Sequence, residues 1–312
     1  MGPQAMRPAL IIMGPTASGK SALALDLARQ FGGTIINADS MQVYRDLRIL
    51  TARPSLEEEA MSPHVLYGVR PAAEPGSLAW WRGAALAAME AAEFPIICGG
   101  TGLYISALTQ GYADVPPIPE ATRAEARALL AEIGPAALHA RLDPATAARL
   151  RPTDPQRIAR AYEVLQATGR GLADWQAGPG AGPAPYRFSA ILLDPPRDAL
   201  RAAIATRWQA MMAAGAVAEV EALLGLGLDP GLPAMRAHGV PELRAMLAGE
   251  IEPAEAARRA CLAIGQYTKR QATWARHHDF GPTHRIHARI AGLTQFSECE
   301  RSEIFAFIHS RR

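Results

Sequence analysis

Residues 9–21, ALIIMGPTASGKS, decide the fold of this chain of 312 residues. The five apolar residues 9–13 are typical of a buried parallel strand. They are followed by the complete pattern G-x-x-x-x-G-K-[ST], in which the glycines let the backbone wrap around a phosphate group. Leu23, Leu27 and Ala28 then recur at helical spacing, which predicts a helix that ends at two adjacent glycines. A strand, a glycine-rich turn and a helix in this order predict a phosphate-binding loop.

The phosphate-binding loop offers two kinds of group to an anion. Successive backbone N–H groups point inward at the positive end of the helix. Lys20 adds a mobile cation, and the hydroxyl of Ser21 is a predicted ligand of Mg²⁺. Lys20 is one of only two lysines among 32 basic residues, which indicates a position that needs a compact, flexible ammonium group. The residues predicted to bind the phosphates are Gly14, Pro15, Thr16, Ala17, Ser18, Gly19, Lys20 and Ser21.

Further short apolar segments extend the pattern into a sheet. Residues 34–38 and 94–98 are predicted to be the second and third strands, and residues 188–193 a later one. Strands that alternate with helices form right-handed crossover units and a parallel sheet covered on both faces. Residues 120–168 instead have the pattern of helices only. We therefore expect an α/β fold whose core is a P-loop NTPase-like parallel sheet and which carries a mostly helical insertion.

The changes of pattern along the chain give the expected domain boundaries. The first part of the core is expected at residues 1–114, and the helical insertion at residues 115–186. Residues 187–280 would complete the core and add C-terminal helices, and the weaker pattern of residues 281–312 predicts a weakly ordered tail. The long helices expected after the insertion cover residues 197–226, 233–247 and 253–276.

The composition excludes several classes of protein. The chain is 49% hydrophobic and 20% charged, with a formal net charge of +2, so any nucleic-acid contact must come from local basic clusters. Three cysteines without a C-x-x-C pair exclude a disulfide scaffold and a cysteine-rich zinc site. The longest uncharged stretch, residues 94–113, is too rich in glycine and polar residues to span a bilayer. The apolar run near the amino end is too short for a signal peptide, and we expect a cytoplasmic protein without a membrane segment.

What the phosphate-binding loop holds is a separate question, because the same loop serves many chemistries. A small-molecule or nucleoside kinase that uses ATP is one interpretation. It requires an apolar strand that ends in an aspartate to hold Mg²⁺, and residues 191–194, Ile-Leu-Leu-Asp, fit that pattern. Asp194 is, however, followed by two prolines and lies far along the chain. The kinase interpretation stays open as the alternative.

Two polar segments lie where the second and third predicted strands end. Residues 37–45 are NADSMQVYR, and residues 99–104 are GGTGLY. The carboxyl ends of parallel strands are the places where such sheets bind ligands. Together with the phosphate-binding loop, residues 154–164 (DPQRIARAYEV) and residues 266–276 (QYTKRQATWAR), these segments resemble the tRNA dimethylallyltransferase family, also called tRNA isopentenyltransferases. The resemblance is collinear along most of the chain and includes the helical insertion.

The resemblance implies transfer of a dimethylallyl group from dimethylallyl diphosphate to N6 of the adenosine on the 3′ side of a tRNA anticodon, with release of diphosphate. The phosphate-binding loop would then hold the diphosphate of an isoprenoid, with Mg²⁺ as the cofactor. The charge that grows on the leaving group needs N–H groups, Lys20 and Mg²⁺ to neutralise it. The implied partners are dimethylallyl diphosphate and the anticodon stem-loop of tRNA, and we expect a monomer.

Matched residue by residue, the resemblance implies a catalytic set of Lys20, Asp39, Thr101 and Arg207. Asp39 would accept the proton of N6, Thr101 would donate to the bridging oxygen of the diphosphate, and Arg207 would lie near the diphosphate. Each of the last three also has a structural interpretation: a helix N-cap for Asp39, a turn hydroxyl for Thr101 and a solvated helix face for Arg207.

The same matching implies which residues contact tRNA. RNA loops are recognised by bases that are splayed out onto aromatic or guanidinium groups. Where the family usually reads Ile-Gly-Tyr-Lys-Glu, this chain has His-Gly-Val-Pro-Glu at residues 238–242. The residues implied to bind tRNA are Asp39, Ser40, Met41, Gln42 and Thr101 in the core, and Arg123, Gln156, Arg157, Ile158, Ala159 and Arg160 in the insertion.

Overall fold

The structure is a computed structural model that describes residues 6–312. The chain divides into two compact units, one made of Met1–Thr109 with Ala184–Arg312 and the other of Gln110–Pro183. The first residues of the core predicted at 1–114 lie outside the described residues. Within the described residues, no helix is both long enough and apolar enough to cross a bilayer.

The first unit contains a parallel sheet whose order is β3-β2-β4-β1-β5-β6. Its strands are β1 (Arg7–Met13), β2 (Gly33–Asn37), β3 (His64–Val65), β4 (Phe94–Gly99), β5 (Tyr186–Leu193) and β6 (Thr283–Ile286). The helices along the chain are α1 (Lys20–Phe31), α2 (Leu56–Met61), α3 (Leu78–Ala91), α4 (Gly102–Thr109), α5 (Glu120–His139), α6 (Pro144–Ala147), α7 (Pro155–Thr168), α8 (Leu172–Ala177), α9 (Arg197–Ala213), α10 (Ala216–Gly225), α11 (Val240–Leu247), α12 (Pro253–His277) and α13 (Glu298–His309). The predicted α/β fold class is confirmed.

Strand β1 lies in the middle of the sheet and is buried on both faces. Ile11 and Met13 belong to the core on one face, and Leu10 and Ile12 to the core on the other. All four side chains are at most 1% exposed. Burying each of them contributes about 1.5–3 kcal/mol relative to an exposed position. The apolar run that predicted a parallel strand therefore holds the phosphate-binding loop on a rigid support.

Helix α1 begins and ends at glycines with left-handed backbone conformation. Gly19, at the N-cap, has φ 94°, and Gly32, at the C-cap, has φ 64° and donates its N–H to the carbonyl of Ala28. Residues that carry a side chain rarely adopt such φ values, which explains why glycine stands at both ends of the helix. Leu23 and Leu27 are fully buried on the inner face of the helix. The helix thus lies directly after the phosphate-binding loop, as its apolar spacing predicts.

The second unit is helical and has a small core of its own, which includes Leu138, Leu142 and Ile158. Helix α5 is interrupted at Gly134, where φ is 77° and a proline follows. Tyr112 and Ala181 exchange backbone hydrogen bonds of 3.0 Å, and this bridge lies inside the unit. The unit therefore begins a few residues before the boundary expected at residue 115.

The single helix expected at residues 197–226 is two helices in the structure. Helix α9 ends at Ala213 and α10 begins at Ala216. Gly215 between them has φ 99°, a conformation that does not continue an α-helix. A glycine within an apolar helical pattern was therefore the overlooked signal of a break.

The prediction of a weakly ordered tail at residues 281–312 is wrong. Strand β6 pairs with β5, and helix α13 begins at a capping box made by Ser297 and Glu300. Ile304 and Ile308 of α13 are each 1% exposed and belong to the same core as Phe31. The apolar pattern of a four-residue strand and one helix is too short to stand out in the sequence.

Candidate active site

The phosphate-binding loop has the tight backbone that its glycines predict. Ala17 and Gly19 have positive φ, 67° and 94°. The N–H of Ser18 donates to the carbonyl of Pro15 at 3.1 Å. A Cβ on Gly14 would lie 2.7 Å from the Ser18 Oγ, so a side chain there would push the loop open. Ser18 itself is fully buried, and its backbone rather than its side chain faces a phosphate in our interpretation.

Gln271 of α12 connects the phosphate-binding loop to the end of β4. Its Oε1 accepts the N–H of Thr16 at 2.9 Å and the hydroxyl of Thr16 at 3.1 Å. Its Nε2 donates to the carbonyl of Gly100 at 3.0 Å. The side chain is buried, and a Cβ on Gly100 would come within 2.1 Å of it. Gln271 was not among the predicted site residues, although the motif that contains it was recognised.

We expect Gln271→Ala to destabilise the protein by about 1–3 kcal/mol, because Thr16 and Gly100 lose their buried partner. The free energy of unfolding in urea measures this effect. Gln266→Ala is the matched control, since Gln266 lies on the exposed side of the same helix. Equal stability of the two variants would contradict the role assigned to Gln271.

Asp39 lies in a loop that immediately follows β2. Its N–H donates to Asn37 Oδ1 at 2.8 Å, and its own Oδ1 accepts the N–H of Met41 at 2.9 Å. This is the pattern of an Asx turn, and the residues that follow form turns rather than a helix. The helix N-cap interpretation of Asp39 is therefore wrong, and only one carboxylate oxygen is used by the loop.

Thr101 fixes the Asp39 loop to the end of β4. Its Oγ1 accepts the N–H of Ser40 at 2.9 Å, and its own N–H donates to the carbonyl of Ala38 at 3.1 Å. A Cβ on Gly99 would lie 2.2 Å from the Ala38 carbonyl, so the two strand ends approach closely. Thr101 thus has the structural role of a turn hydroxyl, and it also lies beside the two candidate catalytic segments.

A small cavity of about 70 Å³ opens beside Asp39. Asp39 and Met41 line it from the loop after β2, and Arg207 lines it from α9. His238 and Tyr267 complete the wall, with ring centroids 5.2 Å apart. Neither aromatic side chain was predicted as a site residue, although the departure of residues 238–242 from the family pattern was noticed. The cavity therefore brings together Asp39 and Arg207, which are 168 positions apart in the sequence.

The surroundings of Tyr267 and His238 keep both side chains uncharged. Burial, followed by the charge of Asp39, raises the pKa of the Tyr267 hydroxyl to about 12, although hydrogen bonds with Thr101 and Gln271 act in the opposite direction. Burial also disfavours the charged form of His238 and therefore lowers the pKa of its imidazole. Both rings are therefore neutral near pH 7 and present uncharged surfaces to whatever enters the cavity.

Ser40, Met41 and Gln42 are implied to bind tRNA, and two of these three residues have other contacts. The Gln42 amide donates to the carbonyls of Thr51 and Ala52 at 2.8 and 2.9 Å, which shapes the neighbouring loop. The backbone of Ser40 is held by Thr101. Of the three, only Met41 lines the cavity in the described structure.

Lys20 and Arg207 form the positive side of the site. Burial lowers the pKa of Lys20, while Cys98 and Asp39 raise it and Arg207 lowers it further. Burial also lowers the pKa of Arg207. Within residues 6–312, neither cation has a carboxylate within 4.0 Å. Partly buried cations without a carboxylate at ion-pair distance indicate a place prepared for an anion.

Cys98 lies at the end of β4 and is 2% exposed. Burial, opposed in part by Lys20, raises the pKa of its thiol to about 11. We therefore expect Cys98 to react slowly with iodoacetamide at pH 7 and faster only as the pH approaches this value, because the thiolate is the nucleophile. Mass spectrometry after timed labelling measures the order, and the exposed Cys299 should react first. Labelling of Cys98 as fast as Cys299 would contradict this burial.

Oxygen ligands for a metal are few. Among the described residues, no group of three or more His, Cys, Asp or Glu side chains is arranged to hold an ion. Ser21 is exposed in the first turn of α1 and offers one hydroxyl. Asp194, the aspartate that the kinase interpretation needs, forms a bidentate pair with Arg276 at 3.0 and 2.7 Å. This pair lowers the pKa of Asp194 and occupies both of its oxygens.

The insertion residues lie in the second unit, on α5 and α7. Three of the arginines pair with acids one turn away, Arg123 with Glu120, Arg157 with Asp154 and Arg160 with Glu163, at 3.7, 3.5 and 3.3 Å. Exposed pairs of this kind are weak, so the guanidinium groups stay available to a phosphate.

Ile158 and Ala159 were wrongly included among the side chains that contact tRNA. Ile158 is 0% exposed and belongs to the core of the second unit, and Ala159 is 8% exposed. Gln156 lies on the exposed side of the same helix. Successive side chains of a helix point in different directions around its axis, so a contiguous motif on α7 includes both buried and exposed residues.

The chain is similar to known proteins both in sequence and in structure. A family profile described as IPP transferase matches residues 42–278, and one described as isopentenyl transferase matches residues 8–67. A tRNA dimethylallyltransferase of Acidiphilium cryptum is 60% identical and covers 97% of this chain and 95% of its own length. The solved tRNA isopentenylpyrophosphate transferase of Staphylococcus epidermidis is 30% identical, with a TM-score of 0.67 over 98% of this chain and 100% of its own. A solved eukaryotic dimethylallyltransferase acting on tRNA has the same fold, with a TM-score of 0.77 at 23% identity over 98% of this chain and 80% of its own.

Proposed function

This chain belongs to the IPP transferase family, and on that premise we propose that it transfers a dimethylallyl group from dimethylallyl diphosphate to tRNA. The acceptor is N6 of the adenosine on the 3′ side of the anticodon, and diphosphate is released. The observation that carries the proposal is one small cavity lined by Asp39, by Arg207 and by Thr16 of the phosphate-binding loop, with Lys20 close enough for the charges of Asp39 and Arg207 to shift its pKa. That placement brings an anion site and a proton acceptor to the same reaction.

The cationic side of the site binds the leaving group. The bond between C1 of the dimethylallyl group and the bridging oxygen breaks, and its electron pair leaves with the diphosphate. Lys20, Arg207 and the N–H groups of the phosphate-binding loop stabilise the negative charge that develops there. Thr101 Oγ1 lies 3.3 Å from the Ser40 Oγ, and its hydroxyl hydrogen turns from that oxygen to the bridging oxygen of the diphosphate.

Asp39 acts on the acceptor. An aromatic amine is a poor nucleophile, so it needs a hydrogen-bond acceptor that orients it and takes its proton. The N6 lone pair forms the new bond to carbon, and the proton that N6 loses passes to the Asp39 carboxylate. Because one oxygen of Asp39 is held by the N–H of Met41, the carboxylate has a fixed direction.

Mg²⁺ is the cofactor that we propose for the diphosphate. Magnesium prefers oxygen ligands, keeps several waters and is often held through substrate phosphates rather than by a complete protein cage. The exposed Ser21 hydroxyl, next to Lys20, fits that donor set as the ligand from the protein. When bound, the ion supplies further charge neutralisation to the leaving group.

The kinase alternative is less well supported by the geometry. A kinase needs a free carboxylate at the end of a neighbouring strand to hold its metal. Asp194 is at that place, at the end of β5, but Arg276 occupies both of its oxygens. Asp39, in turn, lines the cavity together with Arg207.

The helical unit contributes to tRNA binding in this proposal. Arg123, Arg157 and Arg160 would contact backbone phosphates of the anticodon stem-loop, and Gln156 would contact the same strand.

The protein acts as a monomer in this proposal. The three cysteines are free thiols, as suits a reducing compartment such as the cytoplasm where we place the reaction.

The test uses the full chain with two radiolabelled donors, dimethylallyl diphosphate and γ-labelled ATP, each with unmodified tRNA and Mg²⁺. We expect label from the isoprenoid in tRNA, located by nuclease digestion at the adenosine on the 3′ side of the anticodon. Transfer or hydrolysis of the γ-phosphate without prenyl transfer would support the kinase instead and overturn the proposal.

A further inference from the structure

The tail segment, residues 287–293, lies against the phosphate-binding loop. The N–H of Ile290 donates to the carbonyl of Ser18 at 2.9 Å. A Cβ on Gly19 would come within 1.8 Å of the Ile290 carbonyl oxygen, so the two backbones are in direct contact. Ile290 is 1% exposed. The tail segment is therefore packed onto the anion site, although the sequence pattern predicted that this region is weakly ordered.

Further hydrogen bonds hold the tail segment at residues 289–293. The Asp26 carboxylate of α1 accepts the N–H of Leu293 at 2.6 Å. The side chain of Gln295 donates to the carbonyl of Arg289 at 2.8 Å and accepts the N–H of Ala291 at 2.8 Å. These contacts fix the backbone at position 289 relative to the start of α1.

Arg289 reaches from this segment to the loop. Its Nε donates to the carbonyl of Ala17 at 3.1 Å, at a residue whose φ is 67°. A guanidinium has five N–H donors, and this contact uses one of them. Within residues 6–312, no carboxylate lies within ion-pair distance of Arg289. The side chain is exposed, so its terminal nitrogens are open to a ligand in solvent.

Arg289 also belongs to the same electrostatic neighbourhood as the other two cations. Its charge lowers the pKa of Arg207 beyond the effect of burial, and the charge of Arg207 in turn acts on Lys20. Like charges close together repel each other, and Asp39 is the acid that acts on Lys20. Few acidic groups offset the positive charges of these two arginines and the lysine. A multiply charged anion that binds among them therefore stabilises all three.

We propose that Arg289 binds the diphosphate directly, with its Nη atoms on phosphoryl oxygens, as a third cation beside Lys20 and Arg207. The inference rests on the proposed function for the identity of the leaving group. When the C1–oxygen bond breaks, the diphosphate gains the electron pair of that bond, and a guanidinium at this place stabilises it. An arginine suits the role better than a lysine, because Nε on Ala17 orients the remaining fork for two parallel hydrogen bonds.

The experiment compares Arg289→Gln with Arg285→Gln in the full chain. Arg285 is exposed on β6, four residues earlier, and its loss removes the same charge from the same region. The probe is inorganic diphosphate with Mg²⁺, titrated by calorimetry at several salt concentrations. We expect Arg289→Gln to weaken binding by roughly 10- to 100-fold and Arg285→Gln by less than about twofold.

Three further readouts separate direct contact from support of the loop. Arg289→Gln should make binding less dependent on salt, because one ionic contact is lost. Its melting temperature and its KM for tRNA should stay at the wild-type values, while KM for dimethylallyl diphosphate rises. Arg289→Lys, which keeps the charge without the fork, should lie between wild type and Arg289→Gln.

Unchanged diphosphate affinity in Arg289→Gln would overturn the inference. A loss of affinity that comes with a lower melting temperature and an unchanged salt dependence would overturn it as well, since Arg289 would then only support the loop. If wild type binds diphosphate more tightly than Arg289→Gln but transfers no prenyl group to tRNA, the inference holds and the proposed function fails.

Discussion

Asp39→Asn is expected to slow prenyl transfer by roughly 10²–10⁴-fold, because general base catalysis contributes about that much. The amide oxygen can still accept the N–H of Met41, so the loop should keep its conformation while losing its proton acceptor. Single-turnover transfer to tRNA, with enzyme in excess, measures the rate of the chemical step. The affinity for tRNA, measured by filter binding, should change little.

The control for this variant is Asp46→Asn. Asp46 lies in the same loop region and accepts the N–H of Ala72 at 2.6 Å, and an asparagine there preserves that contact. We expect nearly wild-type transfer. Full activity of Asp39→Asn would remove Asp39 as the base, and equal losses in both variants would point to a general disturbance of the loop.

Lys20→Met should be the second large effect. It removes the partly buried ammonium at the start of α1 while keeping a side chain of similar length. A hydrogen bond to a charged group contributes about 1.5–3 kcal/mol, so diphosphate affinity should fall by roughly 10- to 100-fold. The transfer rate should fall by roughly 10²–10³-fold, as for the loss of a group that stabilises transition-state charge. Calorimetry with diphosphate and single-turnover transfer measure the two effects.

The chain offers one other lysine as a matched control. Lys269 is exposed on α12, so Lys269→Met should leave diphosphate affinity unchanged. If Lys20→Met binds diphosphate as tightly as Lys269→Met does, the loop does not hold the leaving group through this residue.

The phosphate-binding loop and its flanking elements were predictable because their signals are local. The apolar run of β1, the glycines of the loop and the spacing of Leu23 and Leu27 all lie within 20 residues. Each of these features acts through its immediate neighbours in the chain. The same holds for the helical pattern predicted at residues 120–168, whose last helix, α7, ends at Thr168.

The supports of the site were not predictable in the same way. Gln271 contacts Thr16 across 255 positions of the sequence, and Arg289 contacts Ala17 across 272. No periodicity or spacing rule connects residues that far apart, and only the packing of α12 and of the tail segment brings them to the loop. Ile158 shows the converse. It belongs to a motif that is recognisable in the sequence, but its side chain is buried in the folded protein.

The most direct test of the central claim is a crystal structure with an anticodon stem-loop RNA and a non-reactive thiolo analogue of dimethylallyl diphosphate. The two phosphoryl groups should lie on the backbone of residues 14–21, in contact with Lys20 and Arg207. A carboxylate oxygen of Asp39 should lie about 2.6–3.2 Å from N6 of the extruded adenine. Phosphoryl groups bound away from this loop, or an Asp39 carboxylate turned away from the adenine, would contradict the account.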